Sequence, residues 1–401
     1  MTARLDAQSL LLLIVFGLFS LANALSGAFV NVFLWKAASD YSLIGWFAFS
    51  QQISSGLVFY FAGKWVKEGN KMNCLRLGIG LAGAFYAAVL WLGKGAVDYI
   101  WLLGFLLGAA FGAFWLAYNV VYFEVTDPDN RDLYNGWAGL IGSCCGMAAP
   151  WASGYLISKL GDGTGYRIIF TVSFGVFIGA IIFSFWLRKR PPEGHYNWTL
   201  PFTEWKSTDS PWRLALPALA AQGVRDGVFA FLIGLVVYIA TTNEMKLGNY
   251  TLITSAVALG SFYVIGKIMR PAFRAPGLFL GTIAMALAVI PLFFHVGYGS
   301  LLLFGVITSL FSPLFVIPMT SVTFDIMGVN EQSASQRVEL TVLREFGLLI
   351  GRMMGVAAYL VVVQWKTTDA VVVAFLTIIG AFPIISAICA RTLVKNHPTG
   401  K

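Results

Sequence analysis

The chain has 401 residues, of which 58% are hydrophobic and 11% are charged, and its formal net charge is +8. A soluble domain carries about 25% charged residues, and one apolar core stops growing at about 300 residues, so the excess apolar surface must face lipid. The basic residues lie in short loops between apolar runs, which argues against a nucleic-acid partner. Composition therefore predicts an integral membrane protein and excludes a soluble one.

The apolar runs are long enough to cross a bilayer as helices, which takes about 20 residues each. The first run continues to Trp35 without an A-x-A cleavage site, so we interpret it as a retained span rather than a signal peptide. The predicted spans, in chain order, are 9–35, 42–63, 75–93, 98–123, 134–158, 166–187, 213–239, 248–267, 276–296, 299–325, 338–364 and 368–391.

The longest interval between spans, residues 188–212, divides the twelve six and six. We therefore predict an all-α polytopic membrane protein with an N-terminal six-helix bundle (1–187), a cytoplasmic linker (188–212) and a C-terminal six-helix bundle (213–401). Most of the 27 Lys and Arg residues fall in loops on one side of the spans. The positive-inside rule then places both termini in the cytoplasm, in a multi-pass protein of the plasma or inner membrane.

Short segments of the first half recur in the second half about 200 residues later and in the same order. Such a duplication is typical of transporter folds and predicts two pseudo-symmetric bundles. The matched segments are VFYFAGK (58–64) with SFYVIGK (261–267), YFEV (122–125) with TFDI (323–326), SGAF (26–29) with DGVF (226–229), and GSCCGMAA (142–149) with GRMMGVAA (351–358).

Twelve spans as six plus six, a basic loop after spans 2 and 8 and a long central loop resemble the major facilitator superfamily over the whole chain. The segment EVTDPDNR, with Glu124 before Arg131, is similar to the acid-x6-Arg signature of sugar porters. The loop GKWVKEGNK departs from the family pattern, with Lys67 and Glu68 where Asp and Arg are usual. The resemblance, to a bacterial branch of that superfamily, implies two bundles that rock about a central substrate site.

Three charged residues lie deep within predicted spans of the second half. Arg225 and Asp226 lie in span 7 and Arg352 in span 11, each roughly 18–20 Å from the start of its span. A charge at the bilayer centre costs about 2.5 kcal/mol or more unless it is paired or hydrated. Two interpretations remain open: Asp226 pairs with Arg352 and locks the spans together, or these residues and Gln222 line a cavity. In the cavity, an arginine would bind an anionic substrate and Asp226 would take up a proton.

Other polar residues in the spans are further candidates for the site. Glu345 forms a polar stripe with Arg352 and Tyr359, and we consider it for proton coupling as well as for a gating or interface role. The first-half candidates for substrate binding are uncharged, and each has packing or a helix–helix hydrogen bond as its alternative. They are Asn23, Ser26, Gln51, Trp115 and Asn119.

Charged residues near the cytoplasmic ends of the spans are candidates for gating. Glu124 with Arg131, and Asp325 with Arg337, occupy equivalent places in the two halves, and we expect them to pair. Lys64 and Lys267, at the ends of spans 2 and 8, join this group. The alternative for each of them is a solvated loop charge.

No cofactor, nucleotide or metal motif accompanies these residues. The histidines lie in or near loops, no P-loop occurs, and no Ser/His/Asp set can be assembled within the membrane, so we do not expect an enzyme. We predict a monomeric, proton-coupled secondary transporter of a small organic solute, either anionic or a drug-like efflux substrate. The alternatives are a lipid or lipid-linked headgroup flippase on the same fold and, in another class, a non-transporting receptor or intramembrane enzyme.

Overall fold

The computed structural model describes residues 5–126, 130–192, 194–207, 210–328, 335–365 and 368–396. Helices account for most of this part of the chain. They are α1 (Ala7–Ala38), α2 (Tyr41–Glu68), α3 (Lys71–Leu92), a 3₁₀ helix (Gly93–Tyr99), α4 (Ile100–Val125), α5 (Arg131–Leu160), α6 (Asp162–Ser184), α7 (Leu200–Lys206), α8 (Trp212–Thr241), α9 (Glu244–Ile268), α10 (Pro271–Leu287), α11 (Ile290–Phe294), α12 (Tyr298–Met327), α13 (Arg337–Trp365) and α14 (Asp369–Asn396).

Ten helical segments in the described ranges are long and apolar enough to cross a membrane. One of them, Lys71–Val125, contains two predicted spans, because the 3₁₀ helix joins α3 to α4 without an extended loop. The second predicted span lies in α2, which is not among the ten because Gln51, Gln52 and its serines make it more polar. The ninth span is divided between α10 and α11. The predicted all-α polytopic fold is confirmed.

Short polar turns separate the long helices and fix where each one begins. The Asp6 carboxylate accepts a hydrogen bond from the Ser9 N–H at 2.7 Å, and Asp40 and Asn70 cap α2 and α3 in the same way. Such caps satisfy backbone N–H groups that the first helical turn leaves without partners. Gly161, with φ of +76°, makes the tight turn between α5 and α6.

The chain divides into two compact units, Met1–Tyr196 with Asn243–Leu252, and Asn197–Thr242 with Ile253–Lys401. The first unit therefore contains α1 to α6 and the beginning of α9, and the second contains α7, α8, the rest of α9 and α10 to α14. The boundaries proposed from the sequence, at 187 and 213, stay a prediction.

In the first unit, α4 packs against α2 and α3, α1 packs against α5 and α6, and α3 packs against α6. The centre is aromatic: the Phe19 ring stacks on that of Phe114, with centroids 3.5 Å apart. Glycines let α4 approach α2 closely, since a Cβ added at Gly108 would lie 2.1 Å from the carbonyl oxygen of Gln51. Close backbone approach of this kind replaces the hydrophobic effect as a source of helix association in lipid.

The second unit repeats four of these five helix pairings. Its α12 packs against α10, its α8 against α13 and α14, and its α10 against α14. Single hydrogen bonds are repeated too: Ser54 of α2 donates to the Phe105 carbonyl of α4, and Ser261 of α9 donates to the Leu310 carbonyl of α12. The sequence duplication thus corresponds to two units that share most of their helix pairings.

Candidate functional site

The middle of α8 carries a small network of polar side chains. Gln222 Nε2 donates a hydrogen bond to Asp226 Oδ2 at 3.2 Å, and Arg225 Nη1 lies 3.8 Å from Asp226 Oδ1. The Arg225 guanidinium also lies over the ring of Phe229, 4.5 Å from its centroid. The Arg225 side chain is 12% exposed and that of Asp226 is 38% exposed, so the carboxylate is the more accessible partner.

A second charged group lies on α13, where Glu345 bridges two arginines. Its carboxylate oxygens lie 3.5 Å from Arg344 Nη1 and 3.6 Å from Arg352 Nη1. The Arg344 guanidinium is also 5.5 Å from the ring centroid of Phe324. All three ionised side chains are mostly buried, with exposed fractions of 15–28%.

The ion pair between Asp226 and Arg352, one of the two interpretations left open by the sequence, is not formed in this structure. Adjacent residues on a helix point about 100° apart. The flexible Arg225 side chain nevertheless bends along α8, so that Asp226 contacts Arg225, its neighbour in sequence. Arg352 pairs instead with Glu345, which lies about two turns earlier on its own helix. Each charged group is therefore assembled within one helix and does not lock α8 to α13.

Glycine packing places the two charged groups at the same level of the unit. A Cβ added at Gly227 would lie 2.7 Å from the Cα atom of Arg352, and one at Gly351 would lie 1.9 Å from the carbonyl oxygen of Ala220. The helices α8 and α13 thus touch backbone to backbone, next to Asp226. The two groups together contain three arginines and two acids, so their formal net charge is one positive charge.

Tyr359 does not extend the polar stripe that the sequence predicted on α13. It is 2% exposed, and its ring packs against Phe231 and Phe375 with centroid distances of 5.1 and 5.9 Å. Tyr359 is a core residue, so the predicted polar stripe on α13 does not extend beyond Arg352.

In the first unit, two of the predicted substrate-binding residues make local hydrogen bonds. Asn23 Nδ2 donates to the Phe19 carbonyl of the same helix at 2.9 Å. Ser26 is fully buried, and its hydroxyl lies 2.6 Å from that of Ser173 on α6. Ser26 therefore joins α1 to α6, and its burial excludes direct contact with a substrate in this structure.

The remaining first-half candidates are more accessible. Trp115 of α4 is 37% exposed at the edge of an aromatic group, with its ring centroid 6.2 Å from that of Phe16 and 5.6 Å from that of Tyr118. Asn119 lies one turn further along α4, and Gln51 lies on α2; both are half-buried. Trp115, Asn119 and Gln51 therefore keep their place as candidates.

At the predicted cytoplasmic ends, the acids of the two halves have other partners than expected. Glu124 pairs with Lys71 at the start of α3, and Asp325 pairs with Arg274 near the start of α10 at 3.0 Å. Arg131 donates to the hydroxyl and carbonyl oxygens of Thr126 instead. Glu124 and Asp325 thus pair with basic residues at the starts of α3 and α10 instead of with Arg131 and Arg337, and the gating role of these residues stays a prediction.

The other two gating candidates also have nearby partners. Lys64 lies 3.8 Å from Glu68 one turn further along α2, and Lys267 donates to the Tyr263 hydroxyl. Glu68 additionally accepts the backbone N–H of Tyr196 at 2.8 Å. This hydrogen bond holds the pKa of the Glu68 carboxyl below its ordinary value.

Sequence reasoning missed a third charged group, at the opposite ends of the helices. The carboxylate of Glu244, the first residue of α9, bonds to Lys36 Nζ near the end of α1, and the Tyr166 hydroxyl of α6 donates to it at 3.3 Å. The Glu244 side chain is only 8% exposed. An acid in the first turn of a helix resembles an ordinary solvated residue in sequence, and nothing in the local pattern indicates its partners.

Among the residues that the structure describes, no group of three or more His, Cys, Asp or Glu side chains is arranged to hold a metal ion. All four cysteines are free thiols.

Two helical units that share most of their helix pairings, with partly buried charged residues in the middle of long apolar helices, define a polytopic membrane transport protein. The profile of the Major Facilitator Superfamily matches residues 11–338, and the chain belongs to that superfamily.

Two bacterial proteins are similar to the chain in sequence. The uncharacterized protein YqgE of Bacillus subtilis (strain 168) is 35% identical over 371 residues, which cover 92% of this chain and 86% of that protein. An uncharacterized protein encoded in the sodM 3′ region of Geobacillus stearothermophilus is 39% identical over 167 residues, which cover 42% of this chain and 78% of that protein.

Solved structures with the same fold include transporters of different cargo. A bacterial homologue of the iron transporter ferroportin, in its inward-facing state, superposes with a TM-score of 0.67 at 13% identity, over 96% of this chain and 98% of that one. The nucleoside transporter NupG superposes with a TM-score of 0.68 at 12% identity, over 97% of this chain and 100% of that one. At these identities the likeness establishes the fold alone.

Proposed function

We propose that the protein is a proton-coupled secondary transporter of a small organic anion, and that its substrate binds at the level of Arg225, Asp226 and Arg352. The observation that carries this proposal is the set of partly accessible charges in the middle of α8 and α13. Charged residues in membrane spans are costly and mark substrate or ion pathways. The bundles would alternate the access of this site between the two sides of the membrane.

The sign of the charge favours an anion as substrate. Three guanidinium groups and two carboxylates leave one net positive charge in the middle of α8 and α13. Arginine binds carboxylate and phosphate groups through two parallel hydrogen bonds, which fixes the orientation of the bound group. The solved structures with this fold include a nucleoside transporter and a homologue of an iron transporter, so the fold leaves the substrate open and the side chains must decide it.

The contact between Asp226 and Arg225 suggests how protons would be coupled to transport. An anionic substrate and the Asp226 carboxylate compete for the Arg225 guanidinium, which lies 3.8 Å from Asp226. Protonation of Asp226 removes the competitor, so proton and anion favour each other's binding, and this coupling is reciprocal. The arrangement supports transport of the anion together with a proton in the same direction. Glu345, between two arginines, is a second candidate for the proton site.

The remaining features of the proposal concern gating and location. Lys71 with Glu124 and Arg274 with Asp325 would rigidify equivalent helix ends of the two units, and Lys64, Lys267, Arg131 and Arg337 would lie near the cytoplasmic gate. We place the protein in the plasma or inner membrane as a monomer, with both termini in the cytoplasm. Trp115, Asn119 and Gln51 would supply uncharged substrate contacts from the first unit.

Uptake into proteoliposomes with an imposed pH gradient tests the proposal. A panel of carboxylates and phosphate monoesters, with nucleosides as neutral comparison, would be offered to the wild type, Arg352→Ala, Asp226→Asn and a control, Arg213→Ala, which removes an exposed arginine at the start of α8. We expect uptake of an anion that Arg352→Ala lowers about thirtyfold, the loss that removal of a buried charge partner produces. Asp226→Asn should keep anion exchange but lose its dependence on the pH gradient.

Three results would contradict the proposal in different ways. Uptake of neutral solutes alone would remove the anion assignment, and a pH-gradient response that persists in Asp226→Asn would remove Asp226 as the proton site. Transfer of labelled lipid between leaflets, without uptake of any soluble compound, would identify a flippase instead.

A further inference from the structure

A cavity of about 680 Å³ lies within the first unit, where α1 and α3 end and α6 begins. Its lining includes three basic side chains, Lys36, Lys94 and Arg167, together with aromatic rings such as those of Trp91 and Tyr166. We call it the α1–α3–α6 cavity. It contains none of the residues assigned to the substrate site, and it lies at the opposite helix ends from Lys71 and Glu124.

The α1–α3–α6 cavity carries more positive charge than its described neighbours neutralise. Lys36 is bound to the Glu244 carboxylate, and its Nζ lies 5.4 Å from the ring centroid of Tyr166. Lys94 and Arg167 are both exposed, and neither makes an ion pair with a side chain in the described ranges. Glu244 therefore neutralises one of the three lining cations, while Lys94 and Arg167 are exposed and have no ion pair in the described ranges.

The position of the cavity identifies the kind of anion that would fill it. It lies at helix ends, the level at which lipid headgroups meet protein, and the Trp91 side chain beside it is 86% exposed, as is typical of interfacial tryptophan. Leu90 and Val89 continue the lining with apolar surface toward the middle of α3. A site that is basic at the helix ends and apolar along a helix matches an amphiphile with an anionic head and an acyl chain.

We propose that the α1–α3–α6 cavity binds the phosphate headgroup of an anionic phospholipid, with Lys94 and Arg167 on the phosphate and an acyl chain along Leu90 and Trp91. Each basic residue near a membrane surface strengthens the binding of anionic lipid about fivefold. A free phosphate has the same headgroup chemistry but no acyl chain to occupy the apolar part of the lining.

Lys36 links this lipid site to the buried acid on α9. A lipid phosphate and the Glu244 carboxylate are competing partners for the Lys36 ammonium, which in this structure is bound to Glu244. Neutralising Glu244 therefore frees positive charge at the cavity and should strengthen lipid binding, an effect that a purely structural role of the cavity would not produce.

Native mass spectrometry of the purified full-length protein, titrated with phosphatidylglycerol or phosphatidylcholine of identical chains, tests the lipid site. We expect adducts to favour phosphatidylglycerol, and the double variant Lys94→Gln/Arg167→Gln to lose about 25-fold in affinity for it. The control Lys159→Gln, an exposed lysine at the same helix ends, should bind as the wild type does. Glu244→Gln should bind phosphatidylglycerol about fivefold more tightly.

The thermal midpoint of each variant shows whether it is folded, and the single variants Lys94→Gln and Arg167→Gln replace the double variant if that one is not. Unchanged phosphatidylglycerol affinity in folded variants would overturn the proposal, as would equal binding of phosphatidylcholine. Displacement of the lipid by inorganic phosphate at equal concentration would overturn the assignment to lipid and identify a site for a soluble anion.

Discussion

The helix pair α1–α5 of the first unit and the pair α8–α13 of the second occupy equivalent places in the repeat, yet they pack differently. A Cβ added at Gly142 of α5 would have its nearest neighbour, a Phe16 ring atom, at 3.7 Å, whereas one at Gly351 of α13 would lie 1.9 Å from a backbone oxygen. The second pair also carries the buried arginines and acids, whose counterparts in the first half are uncharged. The midspan charges were thus added to one copy only, and the six-helix fold does not require them.

The ion pairs at the helix ends differ from the midspan charges, because they occur in both halves. Lys71 with Glu124, and Arg274 with Asp325, join the start of one helix to the end of the next at positions about 200 residues apart. Charges that are repeated belong to the architecture of the bundle. Charges that are not repeated are the stronger candidates for transport, and the following predictions test that division.

The largest loss of stability is expected from Lys71→Ala. Lys71 is fully buried and its partner Glu124 is 17% exposed, so the variant leaves a buried carboxylate without this partner, at a cost of about 3–5 kcal/mol in the free energy of unfolding. Arg274→Ala is the matched variant in the second half. Because Asp325 is 34% exposed, water screens that pair and the expected cost is about 1 kcal/mol or less. Thermal unfolding in detergent measures both, and equal losses would show that burial does not distinguish the two pairs.

Gly351→Ala comes next and probes the backbone contact between α8 and α13. The added methyl group meets the Ala220 carbonyl, so the helices must separate, at an expected cost of about 1–3 kcal/mol. Gly142→Ala is the control at the looser α5 and should change stability by about 0.5 kcal/mol or less. The same unfolding measurement applies, and a harmless Gly351→Ala would mean that α13 is not held against α8 at this point.

Ser26→Ala should have a smaller effect, of about 1 kcal/mol, since it removes the hydrogen bond between α1 and α6. Ser173 keeps its second partner, the Ala22 carbonyl at 3.0 Å, and so is not left unsatisfied. Uptake by folded Ser26→Ala protein should match the wild type once a substrate is known. A large change in the substrate concentration at half-maximal uptake would return Ser26 to the substrate site.

The smallest expected effect concerns pH and the hydrogen bond between Glu68 and Tyr196. The pKa of Glu68 is lowered in the folded state, so its contribution to stability is present above the unfolded value of about 4.3 and is lost as the pH falls through the lowered pKa. Hydrogen–deuterium exchange of the peptide containing Tyr196, corrected for the intrinsic rate, should show loss of protection below pH 4. Glu68→Ala should show that loss already at neutral pH. If neither the pH nor this substitution changes the protection, the hydrogen bond to Glu68 does not protect the Tyr196 N–H.

Much of the fold could be predicted from the sequence, because the constraints of a lipid environment act on composition and length. Twenty apolar residues between short polar turns specify a span, and duplicated segments specify matching bundles. The depth of Arg225 and Arg352 likewise follows from counting along a helix. These inferences need no knowledge of which side chains touch.

The partners of individual charges could not be predicted in the same way. Lys71 and Glu124 are 53 residues apart in sequence and meet only because α3 packs on α4. The repeat itself carries a signal for these pairs, since Lys71 and Arg274 are 203 residues apart and their acids are 201 residues apart. Asp226 contacts Arg225 because the long arginine side chain can reach it, and helix periodicity alone does not predict such a contact.

The 3₁₀ helix between α3 and α4 has a practical consequence. Residues Gly93–Tyr99 keep the chain helical from Lys71 to Val125. The α3–α4 hairpin therefore has no flexible loop into which an epitope, protease site or fluorescent protein could be inserted. The stretch after α6 is the better place, because it is largely irregular up to Thr199 and includes Gly194 at a φ of +104°. Antibody fragments raised against the α3–α4 hairpin would, in turn, recognise a stiff surface and make good fiducial markers for cryo-EM.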